Sequence, residues 1–252
     1  AFIEKQRIEE SIKLAGDIQM GMIPTKFPAF PDRKDFDLSA GIVPAKEVGG
    51  DFYDFFLIDK KHLCFVIGDV SDKGVPAALF MALTKSQIKG SSSRRRTPGD
   101  VLMRANNYLC QENESGMFCT LFYGILDTET GEVKYANAGH TAPYLINSDG
   151  KSKPIPITGD MALGVMEDIP FQTSTVNMTK ESSIYLFTDG VNEAMNEDQE
   201  EYSLDRLESF LEKKKNRSVS DIVDDSLNNV KLFVGTAPQS DDITVLVLKY
   251  LG

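Results

Sequence analysis

The 252-residue chain has no tryptophan, two histidines and three cysteines. His62 and His140 lie far apart in the sequence, which argues against a histidine-rich zinc site. Cys64, Cys110 and Cys119 are odd in number, widely spaced and without a C-x-x-C pair. They read as reduced core thiols of a cytoplasmic protein, not as a disulfide framework. Positive charge is also scarce: 27 Lys and Arg against 38 Asp and Glu leave a net charge of −11. That balance disfavours nonspecific nucleic-acid binding, which needs a cationic surface. No apolar run approaches the roughly 18 residues that a membrane-spanning helix requires. The charged first ten residues lack a signal-peptide core. G-x-S-x-G, Walker A and G-x-G-x-x-G motifs are missing too, so three common enzyme classes lose their local signature.

What is there is a globular composition, 41% apolar and 26% charged, in a chain long enough for a sizeable core. Residues 2–22 read as a polar helix with an apolar stripe of Ile8, Ile12, Ala15, Ile18 and Met22, and with Glu9 and Lys13 four apart. Pro24 ends it. The pattern is already running at Ala1 without a cap, so we expect a piece of a longer protein, with 1–23 a linker helix and 24–252 the main domain. The stripe suits either a coiled coil or packing on the helix's own domain.

Strand patterns follow at 37–43, 52–57 and 63–70. A helix from Pro76 to just before Gly90 is apolar almost all round and should be buried. A second helix has Thr97 as N-cap, Pro98 at its first position and Asp100 completing a capping box, with Val101, Leu102, Ala105, Tyr108 and Leu109 on one face. The run 91–96, three serines then three arginines, suits a solvated loop or a docking point for an acidic partner. Strands resume at 118–126, 132–138, 141–146 and 183–188, then helices at 203–214 and 218–233, and a last strand at 243–248. Strands and helices in blocks, without regular alternation, predict an α+β fold of antiparallel sheets with helices outside.

The chemistry sits in carboxylates. A turn centred on Lys60 puts Asp51 opposite Asp69 at the open end of a hairpin, with β-carbons ~5 Å apart. Two carboxylates that close repel unless a cation lies between them, although ordinary strand-end aspartates also fit the pattern. Asp189 ends one strand, and Asp241 and Asp242 begin another, at what an antiparallel sheet makes the same edge. An all-oxygen cluster suits Mg2+ or Mn2+ and, with several carboxylates, two ions.

Five motifs stand in order: Val48-Gly49-Gly50-Asp51-Phe52-Tyr53-Asp54, Gly68-Asp69-Val70-Ser71-Asp72-Lys73-Gly74-Val75-Pro76, Asn137-Ala138-Gly139-His140, Thr188-Asp189-Gly190-Val191-Asn192-Glu193-Ala194 and Asp241-Asp242-Ile243-Thr244. With them the chain, over about residues 18 to 249, resembles the bacterial metal-dependent (PPM, type 2C) protein serine/threonine phosphatases with a stage II sporulation protein E-like domain. The resemblance implies a β-sandwich of two antiparallel sheets flanked by helix pairs. It implies a centre of two Mn2+ or Mg2+ ions. Asp69 would bridge them, Val70 would offer its carbonyl, and Asp51, Asp189 and Asp241 would be ligands. Asp54 and Asp242 would stand behind the ligands. It further implies hydrolysis of phosphoserine or phosphothreonine by an activated water, on a phosphorylated anti-sigma-factor antagonist in a partner-switching circuit. The first helix would lead to an upstream sensor or a dimer partner.

Three points depart from that pattern or stay open. Many relatives have Ser-Gly-His-Gly where this chain has Ser71-Asp72-Lys73-Gly74, so the leaving group would be protonated by water at the metals or by Lys73. No arginine precedes the first motif; Lys46 could dock phosphate or be a solvated loop residue. His140 suits a structural role at a strand end or a catalytic one. An inactive binding module and a small-molecule phosphoesterase remain as rival readings.

Overall fold

The alternation of side chains along the strands sets the layers. The computed structural model describes residues 2–214 and 216–252. In the last strand, β10 (Ile243–Tyr250), Leu246 and Leu248 face the main core, whereas Ile243, Val245 and Val247 belong to a second core beneath helices. A strand covered on both faces reads as a continuous apolar run, and this one does.

Before β10 the chain order is α1 (Phe2–Met22), β1 (Phe36–Val43), β2 (Phe52–Leu57), β3 (His62–Val70), α2 (Val75–Ser91), α3 (Pro98–Gln111), β4 (Cys119–Asp127) and β5 (Glu132–Ala138). Then follow β6 (Tyr144–Ile146), β7 (Ser152–Pro154), β8 (Ser174–Asn177), β9 (Ser183–Phe187), α4 (Asp189–Asn192), α5 (Ser203–Leu211) and α6 (Val219–Val234). One sheet has the order β1-β10-β9-β6-β7 and the other β2-β3-β4-β5-β8, every pairing antiparallel. The inner faces share an aromatic core that includes Phe65, Phe122 and Tyr135. Helices α2 and α3 cover the second sheet, and α6 lies on β1 and β10 of the first. The expected α+β sandwich is therefore the observed one.

Local chemistry explains the helix ends. Thr97 accepts the Asp100 N–H at 3.2 Å and Asp100 accepts the Thr97 N–H at 3.0 Å, the capping box expected at α3. Two expected faces need correcting. In α2 the buried residues are Ala77, Phe80, Met81, Thr84 and Ile88, but Val75 and Leu79 are exposed. In α3 Tyr108 is exposed. Strands β7 and β8 and helix α4, which the sequence pattern did not disclose, are only three or four residues long.

The first helix packs by only part of its apolar stripe, in which Ile12 and Ala15 are partly buried. Ile8, Ile18 and Met22 are exposed, while Gly16 and Gln19 are buried. A Cβ on Gly16 would lie 2.0 Å from the Glu47 carbonyl oxygen, so glycine permits the close approach of α1 to the 44–50 loop. The Gln19 amide then holds Gly49 in both directions, donating to its carbonyl at 2.6 Å and accepting its N–H at 3.1 Å. The expected Glu9–Lys13 pair gives way to Lys5–Glu9 at 3.7 Å. No helix among the described residues is long and apolar enough to cross a membrane.

Candidate metal centre

Hairpin register builds the first half of the site. Leu57 pairs with Leu63 and Phe52 with Gly68, so one further step sets Asp51 opposite Asp69, as the turn centred on Lys60 requires. The second half comes from the other sheet. Asp189 is the first residue of α4, directly after β9, and Asp241 lies just before β10. Since β9 and β10 are antiparallel neighbours, the exit of one and the entry of the other share an edge.

Two threonines fasten Asp51 across the sandwich. Thr188 and Thr244 donate their hydroxyls to Asp51 Oδ2 at 2.7 and 2.5 Å. Thr244 N–H in turn donates to Thr188 Oγ1 at 3.1 Å. Asp242 holds the backbone beside it. Its carboxylate accepts N–H groups from Ala45 (2.8 Å), Gly50 (3.0 Å) and Asp51 (3.4 Å). This close wrapping needs glycine: a Cβ on Gly49 would lie 1.9 Å from Asp242 Oδ2, and one on Gly50 2.7 Å from the Val70 carbonyl oxygen. That carbonyl therefore faces the Gly49-Gly50 turn, at the site's rim.

Negative charge accumulates here, with Lys73 beside Asp241 and Asp189. Burial first, then repulsion from Asp69 and Asp242, raises the Asp51 pKa well above the ordinary carboxylate range, against the pull of the two threonine hydrogen bonds. Asp69 is raised to about 7, by burial and then by Asp189, Asp241 and Asp242, with a hydrogen bond from Asp51 acting the other way. Asp189 is raised by burial and by Asp241, with Lys73 opposing. Carboxylates whose burial and mutual repulsion raise one another's pKa form an electrostatic setting that favours a bound cation.

The donors fit hard divalent cations: carboxylates and a peptide carbonyl, with no thiolate or imidazole among them. Asn192 Oδ1, one helical turn after Asp189, adds a buried oxygen that lacks a hydrogen-bond partner among the described residues. No three His, Cys, Asp or Glu side chains among the described residues already form a set that holds one ion. The hydrogen bonds explain this: Asp242 is committed to backbone amides, and Asp241 is paired with Lys73 Nζ at 2.9 Å. Gathering three carboxylates on one ion requires at least one side chain to turn inward.

The remaining candidates stand elsewhere. Asp54 does not back up the ligands; it is buried against α2, its carboxylate 2.6 Å from Lys85 Nζ. It lies three positions after Asp51, an odd offset along the extended chain that runs into β2, which puts the two on opposite faces. Lys46 is exposed on the 44–50 loop, next to the Ala45 amide that Asp242 holds. The ring nitrogens of His140 bond Thr120 and Phe187, not a carboxylate. Thr188, Thr244 and Gln19 were missed by sequence reasoning. The two threonines adjoin acidic motifs, a usable signal; Gln19 carried none.

The comparisons with known proteins bear on the family and the fold. The family model described as Stage II sporulation protein E matches residues 59–251. The chain is 30% identical to Protein IcfG of Synechocystis over 92% of its length, and spans 40% of that protein. It is 30% identical to Phosphoserine phosphatase RsbU of Bacillus subtilis over 97% of its length, spanning 71% of that one. Among solved structures, the SiaA-PP2C domain of Pseudomonas aeruginosa superposes with a TM-score of 0.85 at 19% identity, covering 98% of both chains. The catalytic domain of the phosphatase PstP, solved with two manganese ions, matches at 0.63 and 13%, over 86% of this chain and 99% of that one. A PP2C-type sandwich whose acidic motifs converge at one edge, matched over most of its length by this family model, belongs to the stage II sporulation protein E family of PP2C-type phosphatases.

Proposed function

We propose that the chain is a metal-dependent protein serine/threonine phosphatase, acting on a phosphoserine or phosphothreonine of a partner protein. The observation that carries this reading is the convergence of Asp51, Asp69, Asp189 and Asp241 at one edge of the sandwich, with Asp51 buried and Asp69 half-buried where their charges repel. Asp51, Asp69, Asp189, Asp241 and the Val70 carbonyl would hold two Mn2+ or Mg2+ ions, with Asp69 at the centre of the set. When bound, such ions supply Lewis acidity toward the phosphoryl group and lower the pKa of water for attack at phosphorus. The residues themselves orient and hold: Thr188 and Thr244 fix the Asp51 carboxylate, Asp242 fixes the turn that presents it, and Lys46 is the candidate cation for the incoming phosphate. No side chain is needed as a covalent nucleophile.

The family resemblance of the five motifs favours, as the substrate, a phosphorylated anti-sigma-factor antagonist of a cytoplasmic partner-switching circuit, and the likeness to a phosphoserine phosphatase supports a phosphoserine in it. Residues 1–23 form the arm toward an upstream sensor or a second copy of the chain, and 24–252 the phosphatase domain. Exposed Ile8, Leu14, Ile18 and Met22 on α1, together with the Gln19–Gly49 bonds, support that role. The test is phosphate release with Mn2+ from a panel of phosphoserine and phosphothreonine proteins and of small phosphoesters. Release from a phosphoprotein, abolished by chelation, is the expected result. Turnover of small phosphoesters alone would favour a small-molecule enzyme, and no turnover of either kind would favour a binding module.

A further inference from the structure

His140 is a buried, nitrogen-satisfied imidazole that the proposed chemistry does not use. It follows β5, after Gly139, whose φ of +69° lies in the left-handed region that favours glycine. The turn is held locally: Asn137 Oδ1 accepts the His140 N–H at 2.7 Å, and Asn137 Nδ2 donates to the His140 carbonyl at 2.9 Å. That arrangement aims the ring between the two sheets. Nε2 stands 3.1 Å from the Phe187 carbonyl oxygen, and Nδ1 stands 3.0 Å from Thr120 Oγ1.

The chemistry assigns each atom a role. A carbonyl only accepts, so Nε2 carries the proton and donates to Phe187. The neutral ring then accepts the Thr120 hydroxyl at Nδ1. Burial keeps the ring neutral, lowering its pKa to about 4. The two ends of this bridge matter. Phe187 is the last residue of β9, two before Asp189. Thr120 is the register partner of Asp69 on β4, and its hydroxyl lies 3.5 Å from the Asp69 carbonyl oxygen. One side chain therefore ties the strand end that presents Asp189 to the strand pair that presents Asp69, from opposite sheets.

We propose that His140 is a positioning residue: its imidazole spans Thr120 and Phe187 and sets the separation of Asp69 from Asp189 across the sandwich, and so the affinity of the site for divalent cations. On the other side of the cluster, Thr188 and Thr244 make the corresponding tie through Asp51. With both ties in place the ligands of the two sheets are held in mutual register before any ion arrives. This inference rests on the proposed metal centre, but it is tested on cation binding and not on turnover.

The experiment titrates Mn2+ into the metal-free chain by calorimetry for wild type, His140→Phe, Thr120→Val, the double variant and His140→Gln. Melting temperatures in chelator and kcat and KM for p-nitrophenyl phosphate are read alongside. Residues that orient metal ligands typically change affinity by ~10–100-fold, and that range is expected for both single variants. The double variant should lose no more than the worse single one, because both break the same bridge. Glutamine, which can still donate to Phe187, should recover part of the loss, and the defect should fall on kcat more than on KM. Should His140→Phe fail to fold, Thr120→Val, which keeps the side-chain shape, decides alone. Mn2+ affinity within twofold of wild type in the folded variants, or fully additive losses, would overturn the proposal. A wild type that binds Mn2+ yet releases no phosphate from any phosphoprotein would defeat the proposed function and leave this inference standing.

Discussion

At Asp69 burial and repulsion act in the same direction, and both oppose the charged form. Without metal, its folded-state pKa of about 7 exceeds the ordinary carboxylate value, so the folded chain holds a proton that the unfolded chain releases. The contribution of Asp69 to stability is thus best at acid pH and declines as pH rises from about 4 to about 7. Asp69→Asn removes that penalty. In chelator its melting temperature should exceed that of wild type, by a margin that widens across this window; a margin independent of pH would count against the clustered charges. The same variant, and Asp189→Asn, should abolish Mn2+-dependent phosphatase activity, since each removes a ligand charge. Near wild-type turnover of both at saturating Mn2+ would remove them from the site. Lys46 is the weaker assignment, exposed and bound to nothing in the cluster. Losing a charge-assisted contact to phosphate predicts that Lys46→Ala lowers kcat/KM for a phosphoprotein about 10-fold or more, with Mn2+ affinity unchanged. An unaltered kcat/KM would leave phosphate docking to the metals.

Among the elements, α1 is the one whose packing and composition disagree. Ile8, Leu14, Ile18 and Met22 look outward although Met20 packs on the core, while glycine and glutamine make its contact with the turn that leads to Asp51. Removal of residues 1–22 should alter oligomeric state by light scattering, or the ratio of stimulated to basal rate, with Mn2+ binding retained. Identical values before and after removal would reduce α1 to packing alone. Its helical state was legible in its periodicity, and its contact face only in part: Ile12 and Ala15 of the stripe are partly buried, but Gly16 packs by having no side chain and Gln19 by hydrogen bonds, and neither registers in an apolar pattern. The β2–β3 hairpin shows the opposite case. A single turn centred on Lys60 set its register from the sequence, since a one-residue slip would exchange its two faces. Strands β7 and β8 lie at sheet edges with mostly partly or fully exposed residues, and so lack the alternation that would announce them.

At the scale of the whole molecule, the sandwich functions as a frame that brings four strand ends from two sheets to one edge. The motifs disclosed the acidic residues, because chemistry demanded carboxylates at those places. They did not disclose which acids face the cluster: Asp54, three residues from Asp51, turns to Lys85 instead, and that follows from strand pleating and from α2 lying on that face. Nor did they disclose the ties between sheets through Thr188, Thr244 and His140, which join residues distant in sequence. The proposed phosphatase chemistry needs this edge to be a binuclear cation site. Calorimetric titration of Mn2+ into the metal-free full chain, with Asp69→Asn in parallel, tests it most directly. Two ions bound per wild-type chain, with binding lost or reduced to a weaker single event in Asp69→Asn, is the predicted result; no binding to wild type, or the same isotherm for both, would contradict it.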